Sequence, residues 1–344
     1  MKKITIMDVA KAAGVSHVTV SNVINKKGQM TDDTRQKVQA IIDKMNFHPD
    51  GSARALVSGK SNTIAFISGF LTSPFVAGIL AGVERQLYDT KNSNYILSHI
   101  STKVSQEIRQ KLIDEIIYGK KADAVIMLTV KPDSGQIKEL KKNGIPLVLI
   151  ENDPVAGASS IRTDNARGGY LAADYLLKKG KRKIAIIMGP QGKAGTNEIE
   201  NPAMRERLKG CANAFSDNGA EPDAERIYRI RTHTPEEGAR IMDIIMAEKP
   251  DTDAIFCAAG DNAAIGTLSR ARQLGLKIPG DISLVGYDDI QLARFMNPAL
   301  TTVNQQLDEL GKRAIDLAID TLNGKITGSH EVLIMPELVI RESA

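Results

Sequence analysis

Short apolar runs alternate with helical stretches along residues 61–344, and this alternation limits the possible folds more than any other feature of the chain. Runs that are apolar on both faces and separated by amphipathic helices are typical of strands in parallel sheets. The pattern therefore predicts an α/β core. The predicted strands are TIAFIS (63–68), NYILS (94–98), DAVIML (123–128), PLVLI (146–150), KIAIIM (183–188), DAIFCA (253–258) and ISLVG (282–286).

About seven strands over this length indicate two sheets of βαβ units. We place the division near 162–164, before a helix over 166–179, and a return crossing near 288–291 that would bring the helix 306–323 back to the first lobe. Lobe 1 would hold about 61–162 and 290–323, and lobe 2 about 163–289 and 324–344. Periplasmic binding proteins are built in this way, with a ligand cleft at the carboxyl ends of the strands.

Residues 1–60 carry the basic excess of the chain. They hold ten Lys and Arg against five Asp and Glu, whereas residues 61–344 hold 35 against 36. A basic segment on a neutral body suits a polyanion such as nucleic acid, although basic termini without such a partner are common. Charge alone leaves both interpretations open.

Residues 1–48, the head, have the periodicity of three short helices. Thr5 and Asp8 have the spacing of a capping box, and Gly14 ends the first helix. Ser16 can cap the second helix, and the third begins at Thr31. Two short helices with a tight turn, braced by a third, form a helix-turn-helix, although plain helical hairpins share this pattern. The expected inward residues are Ile6, Val9, Ala10, Ala13, Val20, Val23, Ile24, Val38, Ile41, Ile42 and Met45.

Several longer motifs resemble the lactose/galactose repressor (LacI/GalR) family over essentially the whole chain. They are DVAKAAGVSHVTVSNVIN (8–25), TDDTRQKV (31–38), FHPDGSARALVSGKS (47–61), GDNAAIGTLSRARQLGLKIPGDISLVGYDD (260–289) and NPALTTVNQ (297–305). The resemblance implies a transcriptional repressor that binds palindromic double-stranded operator DNA as a homodimer. A small polar effector, such as a sugar or sugar derivative, would bind between the lobes as an inducer or a corepressor.

The resemblance also implies which head residues contact DNA. His17, Val18 and Asn22 occupy positions that read bases, and Thr5 would contact DNA as well. The family commonly has Arg where this chain has Asn22; Arg suits guanine and Asn suits adenine, so the operator should differ at that base pair. Alternatively, Asn22 only touches a phosphate. The positions expected to contact phosphates or support the helix are Ser16, Thr19, Ser21 and Asn25.

Residues 49–60 form the expected hinge. Pro49 ends the third helix, and Ala53 to Leu56 are good helix formers before Gly59, but so short a helix is marginal alone. The resemblance implies that this segment folds on DNA, with Ala53 at the interface and Leu56 inserted into a minor-groove step. The alternative is a flexible linker that only tethers the head.

In the core (61–344), the resemblance places Phe75, Arg205 and Asp288 in the ligand cleft. The donor fork of Arg and the acceptor oxygens of Asp suit a polar ligand, although either residue could be structural. Gly260 stands where many relatives have Asn, which removes one amide from the cleft. Asp164 and Asp261 are expected to cap helices. Glu151, Asn152 and Asp153 follow a strand and could line the cleft.

Other classes of protein fit less well. GKS (59–61) and GPQGKAG (189–195) lack the spacing of phosphate-binding loops, the five histidines are scattered, and no GxSxG or HExxH motif occurs, so we expect neither enzyme activity nor a cofactor or metal. No apolar run approaches a membrane span, and we expect a cytoplasmic protein. A transport-type solute-binding protein would explain residues 61–344 but leaves the basic head unexplained.

Overall fold

The computed structural model describes residues 4–24, 27–47, 60–69, 72–89, 94–101, 106–190 and 201–344. The chain divides into two compact units, one of residues 1–61 with 118–121 and the other of residues 62–117 and 122–344. The first unit contains the head and the second contains the core.

The head has the three predicted helices, α1 (Ile6–Ala13), α2 (His17–Ile24) and α3 (Asp32–Lys44). Thr5 and Asp8 form the predicted capping box, and Gly14 ends α1 with a φ of 67°. The hydroxyl of Ser16 accepts a hydrogen bond from the Thr19 amide at 3.1 Å, which caps α2. These local signals are confirmed because each satisfies a free backbone group at a helix end.

The helices of the head enclose a small core of mainly aliphatic side chains. Its buried members are Val9, Ala10, Ala13, Val20, Val23, Val38, Ile42 and Phe47. Ile41 and Met45, which were predicted to be buried, are partly buried against this cluster. The arrangement of α1 and α2 against α3 is the predicted helix-turn-helix.

The described part of the core contains two six-stranded sheets. One, in lobe 1, has the order β11-β5-β4-β3-β1-β2, and the other, in lobe 2, has the order β12-β10-β9-β8-β6-β7. The strands are β1 (Thr63–Ser68), β2 (Ile96–Ser101), β3 (Ala124–Leu128), β4 (Leu147–Ile150), β5 (Ser159–Thr163), β6 (Ile184–Met188), β7 (Ile227–Arg229), β8 (Ala254–Phe256), β9 (Ser283–Asp288), β10 (Thr301–Asn304), β11 (Glu331–Ile334) and β12 (Glu337–Val339).

Eight α-helices follow in the described core. They are α4 (Pro74–Asp89), α5 (Gln106–Tyr118), α6 (Ser134–Lys142), α7 (Asn165–Lys178), α8 (Pro202–Asp217), α9 (Pro235–Glu248), α10 (Asp261–Gln273) and α11 (Leu307–Leu322). Short 3-10 helices occur at Ala224–Arg226 and Gln291–Phe295. All strand pairs of the two sheets are parallel except β10 with β12, so the predicted pair of parallel sheets is confirmed.

The return to lobe 1 lies later in the chain than predicted. Residues 301–304 form β10, which pairs in parallel with β9, with Thr301 opposite Val285. The crossing therefore follows β10, at Gln305 and Gln306, and the prediction of 288–291 is wrong. The helix α11 packs on lobe 1 as predicted. Residues 331–334, which were assigned to lobe 2, form β11 in the sheet of lobe 1, paired with β5.

Glycines set the close approach of three helix pairs in the core. A Cβ on Gly169 of α7 would lie 2.0 Å from the carbonyl oxygen of Arg207 in α8, and one on Gly210 of α8 would lie 1.7 Å from that of Ala166. Such distances are far below van der Waals contact, so only glycine allows these backbones to touch. The same reciprocal contact occurs between α4 and α11, at Gly82 and Gly311, and between α9 and α10, at Gly238 and Gly266.

Candidate nucleic-acid surface and ligand cleft

The N-terminal end of α2 presents an exposed surface in the head. Ser16, His17 and Val18 are exposed, whereas Val20 and Val23, on the opposite face of the helix, are buried. Val18, an aliphatic side chain, is 53% exposed. An apolar group among polar ones suits the mixed chemistry of the major groove, where a thymine methyl lies beside donors and acceptors.

The remaining described polar residues of α2 are partly exposed. The hydroxyl of Thr19 lies 3.0 Å from that of Ser16, so the two support each other at the helix start. Asn22 lies beside Gly28, where a Cβ would come within 3.1 Å of the amide nitrogen of Asn22. The space for the Asn22 carboxamide therefore depends on a glycine, whose φ is 80°. Ser21 is partly exposed on the same helix.

Thr5 has a clear structural role. Its hydroxyl lies 2.7 Å from Oδ2 of Asp8, and its backbone amide donates to the same oxygen at 2.9 Å. The side chain is thus occupied by the cap of α1, and contact with DNA stays a prediction. Asn25, Ala53 and Leu56 lie outside the described residues.

In the core, Arg207 lies at the centre of a buried polar cluster. The residue is 4% exposed. Its Nε donates to Oδ1 of Asn165 at 2.8 Å, its Nη1 to the carbonyl oxygen of Ala258 at 2.7 Å, and its Nη2 to Oε1 of Gln305 at 3.2 Å. The guanidinium carbon lies 3.6 Å from the centre of the Tyr287 ring, which is a cation–π contact. A buried cation is tolerated here because each of its three nitrogens donates a hydrogen bond.

Asn165 joins this cluster to lobe 1. Its amide nitrogen donates to Oε2 of Glu151 at 2.9 Å, and its oxygen accepts from the Tyr287 hydroxyl at 3.2 Å as well as from Arg207. Glu151 follows β4, and its other oxygen accepts from the Thr163 amide at 2.5 Å. The two lobes therefore share one hydrogen-bonded network beside the first crossing.

Asp288 ends β9 with a φ of 117°, a conformation that non-glycine residues rarely adopt. Its Oδ1 accepts from Nε2 of Gln305 at 2.5 Å, and burial raises the pKa of its carboxyl to about 7. A Cβ on Gly260 would lie 2.7 Å from Oδ2 of Asp288. The close approach of that carboxylate gives a physical reason for the glycine at 260, where many relatives have asparagine.

Asp261 does not cap α10, so that prediction is wrong. Its side chain is fully buried and accepts hydrogen bonds from the Ile290 amide at 3.0 Å and the Thr302 hydroxyl at 2.7 Å. Burial and the nearby carboxylate of Asp288 raise the pKa of Asp261. Asp164 does cap α7, by accepting from the Arg167 amide at 2.9 Å, as predicted.

Of the other predicted cleft residues, Arg205 and Phe75 lie outside this cluster. Arg205 is 52% exposed and lies 3.8 Å from Asp153 and 3.6 Å from Glu206, between the two lobes. Phe75, in the first turn of α4, is partly buried against the hydrophobic core. Glu151, Asn152 and Asp153 line a pocket of about 150 Å³ together with Arg162, Thr163, Asp164, Asn165, Ala166, Pro202, Ala203, Glu206 and Leu333.

Sequence reasoning missed Arg207, Gln305 and His233. Gln305 lies in the second crossing, which was predicted elsewhere. His233 follows β7, a strand that was not predicted, and its Nδ1 lies 2.9 Å from the carbonyl oxygen of Ala259. Since a carbonyl only accepts, Nδ1 donates, and Nε2 of the neutral ring is left as an acceptor. Desolvation lowers the pKa of this imidazole, which favours the neutral form.

No helix in the described ranges is long and apolar enough to cross a membrane. Within the same ranges, no group of three or more His, Cys, Asp and Glu side chains is arranged to hold a metal ion.

Comparison with known proteins gives matches in both units. The family model "Bacterial regulatory proteins, lacI family" matches residues 5–50, and "Periplasmic binding protein-like domain" matches residues 173–344. The chain is 32% identical over 342 residues to the HTH-type transcriptional repressor PurR of Erwinia tasmaniensis, covering 98% of this chain and 96% of that protein. It is 33% identical to the PurR of Proteus mirabilis, with the same coverage.

Comparison with solved structures also gives matches over nearly the whole chain. The transcriptional regulator CelR in complex with cellobiose is 28% identical, covers 99% of this chain and 100% of that one, and superposes with a TM-score of 0.71. The lac repressor dimer bound to operator and the anti-inducer ONPF is 23% identical, covers 99% of both chains and superposes with a TM-score of 0.81. At that identity the second match shows the fold.

Proposed function

The chain belongs to the lacI family of bacterial regulatory proteins, and on that premise we propose that it represses transcription by binding operator DNA under the control of a small polar effector. The observation that carries this proposal is that the chain combines exposed, mainly polar residues at the N-terminal end of α2 with a buried cluster of polar and charged side chains around Arg207 and Asp288 in the core. The named relatives are repressors, and one related structure contains a disaccharide.

In this proposal α2 enters the major groove, with His17, Val18 and Asn22 facing base edges. A homodimer would present two such helices to the two halves of a palindrome. Ser16, Thr19 and Ser21 would contact phosphates or support the helix. Leu56 would open the central base step from the hinge, with Ala53 beside it.

The effector would bind where Arg207 and Asp288 converge. Both side chains are buried and lie at the lobe 2 side of the crossings. Arg207 offers hydrogen-bond donors and Asp288 offers acceptor oxygens. Phe75 would form an apolar wall on the lobe 1 side, and Arg205 would lie at the rim. An effector that changes the affinity for DNA must bind with correspondingly different affinity to the DNA-bound form, because the coupling is reciprocal.

Selection from a randomised palindromic duplex library tests the DNA-binding half of the proposal. The native protein should enrich one half-site, and Asn22→Arg should replace adenine by guanine at one base pair of each half. Asn22→Ala is the matched control, which should lose the preference at that base pair without gaining guanine. An unchanged sequence logo for Asn22→Arg would show that Asn22 does not read a base.

A thermal-shift screen of sugars, nucleosides and small acids tests the effector half. Compounds bound at the proposed site should stabilise the native protein and lose that effect in Asp288→Ala. Arg205→Ala tests the rim position separately, because a compound that contacts only Arg207 and Asp288 would still stabilise it. A compound that stabilises all variants equally would bind outside the proposed site.

The alternative of a transport-type solute-binding protein would predict effector binding without an operator. It is not favoured, because the lacI match covers the head, which such a protein does not need. We propose no enzyme activity, in keeping with a family of transcriptional regulators, and a cytoplasmic location, where the DNA is. Gel-shift assays with the selected palindrome separate the two functions directly.

A further inference from the structure

The carboxamide of Gln305 bridges the two groups proposed to bind the effector. Its oxygen accepts from Nη2 of Arg207 at 3.2 Å, and its nitrogen donates to Oδ1 of Asp288 at 2.5 Å. All three side chains are buried. Gln305 thus presents one acceptor to a cation and one donor to a carboxyl group, and both belong to the same carboxamide.

We propose that the Gln305 carboxamide is a built-in surrogate for the effector, which must displace it by presenting its own acceptor to Arg207 and its own donor to Asp288. The inference rests on the proposed effector site and adds the chemical class of the ligand. That class is a small molecule with a hydrogen-bond acceptor and donor held side by side, on the amide group of a cis-lactam or on the adjacent carbons of a vicinal diol.

The energetic argument concerns unpaired charges. If the Gln305 amide moved away without replacement, Arg207 would lose one acceptor and Asp288 would lose the donor on Oδ1, both in a buried site. Leaving buried charged groups unpaired is costly, whereas exchanging one partner for another is nearly neutral. A ligand with only a donor or only an acceptor would leave one of the two groups unsatisfied, so the bridge selects for both functions together.

The position of Gln305 connects this exchange to the core as a whole. The residue follows β10 in the second crossing between the lobes, and its carbonyl oxygen accepts from the Thr163 hydroxyl of the first crossing at 3.5 Å. Displacement of its side chain would therefore release a crossing segment from lobe 2, where Arg207 and Asp288 hold it. Effector binding and lobe arrangement would be linked through one side chain.

The test compares Gln305→Met, which keeps the length of the side chain but removes the amide, with the native protein. The probes are 2-pyridone, a cis-lactam, and cis-1,2-cyclohexanediol, a vicinal diol, with dissociation constants from saturation-transfer NMR titration. We expect at least one probe to bind about tenfold or more tightly to Gln305→Met, since loss of one competing charged hydrogen bond is worth about that factor. The probe that gains affinity identifies the class.

Matched controls separate competition from general loosening. Gln306→Met makes the same chemical change at the neighbouring residue, whose amide donates to the Met335 carbonyl oxygen, and should leave both affinities unchanged. In Gln305→Met, 1-methyl-2-pyridone, which lacks the donor, and cyclohexanol, which lacks the second hydroxyl, should gain nothing. If Gln305→Met does not fold, Gln305→Asn withdraws the amide by one methylene and should give a smaller gain of the same sign.

Equal or weaker binding of both probes to the folded Gln305 variants would overturn the proposal, and so would the absence of binding to any form. Neither result would bear on repression itself, because operator selection with the native protein is independent of these probes. Conversely, the probes could bind more tightly to the Gln305 variant while selection with the native protein enriches no operator sequence. That result would support the surrogate bridge and contradict the proposed function.

Discussion

Gly169→Ala tests how closely the position of Arg207 depends on the helix crossing beneath it. The new Cβ would lie 2.0 Å from the carbonyl oxygen of Arg207. Carbon and oxygen ordinarily approach no closer than about 3.3 Å, so α7 and α8 would have to separate by roughly 1 Å. Overpacking of this kind costs about 1–3 kcal/mol. At about 2–4 °C per kcal/mol for a domain of this size, the melting temperature should fall by roughly 2–12 °C.

Thermal unfolding followed by circular dichroism measures this change. Gly69→Ala is the control, because a Cβ there meets no atom within 4 Å, and it should melt with the native protein. Gly82→Ala creates a comparable clash in lobe 1, 1.9 Å from the carbonyl oxygen of Asp308, and should be similarly unstable. Only Gly169→Ala should also weaken binding of the probe whose affinity rises in Gln305→Met. If it melts with Gly69→Ala, the reasoning from close approach is wrong.

Three further substitutions test the polar interior. Because the pKa of Asp288 is raised from 3.8 to about 7, the folded chain holds a proton that the unfolded chain releases, so stability should fall as the pH rises from 4 to 7. In Asp288→Asn, the melting temperature should depend less on pH across that range. Arg207→Lys should lower the free energy of unfolding in urea by about 2–4 kcal/mol, because an ammonium cannot reach all three acceptors. Ser343→Ala should cost about 1–3 kcal/mol in the same assay, since the buried hydroxyl bonds both Leu284 and Thr301.

The elements of the fold that were predictable are those with strong local signals. Strands such as Ala124–Leu128 and Ile184–Met188 are wholly apolar and lie in the middle of their sheets, where both faces are buried. The strands that were missed, such as Ser159–Thr163 and Thr301–Asn304, are rich in Ser and Thr and end at the crossings. Polar side chains of these strands bond groups beside the proposed effector site, as Thr302 does with Asp261, so the hydrophobic pattern is weakest there.

Arg207 shows a signal in the sequence that was available but not used. Along α8, the buried residues Ala203, Met204, Gly210, Cys211 and Ala214 recur at helical spacing, and Arg207 is the charged residue in that row. An arginine on an otherwise small and apolar face is a candidate for a buried, functional cation. Arg205, two positions earlier, faces away from that row and is half exposed. Resemblance pointed to this helix as part of the cleft, and helical periodicity identifies which of its two neighbouring arginines is buried.

No local pattern predicts the bridge made by Gln305, because its partners are 98 and 17 residues away in the chain. What brings them together is the set of three crossings between the lobes, which lie between β5 and α7, at 305–306, and at 335–336 between β11 and β12. The Asp164 amide donates to the Ile334 carbonyl oxygen at 2.9 Å, and the Gln306 amide side chain donates to Met335, so neighbouring crossings are tied to one another. A movement of one lobe relative to the other must then change all the crossings together. This is the behaviour expected of a structural element that has two discrete arrangements. A ligand that replaces Gln305 acts on that element at the point where the crossings meet the cleft.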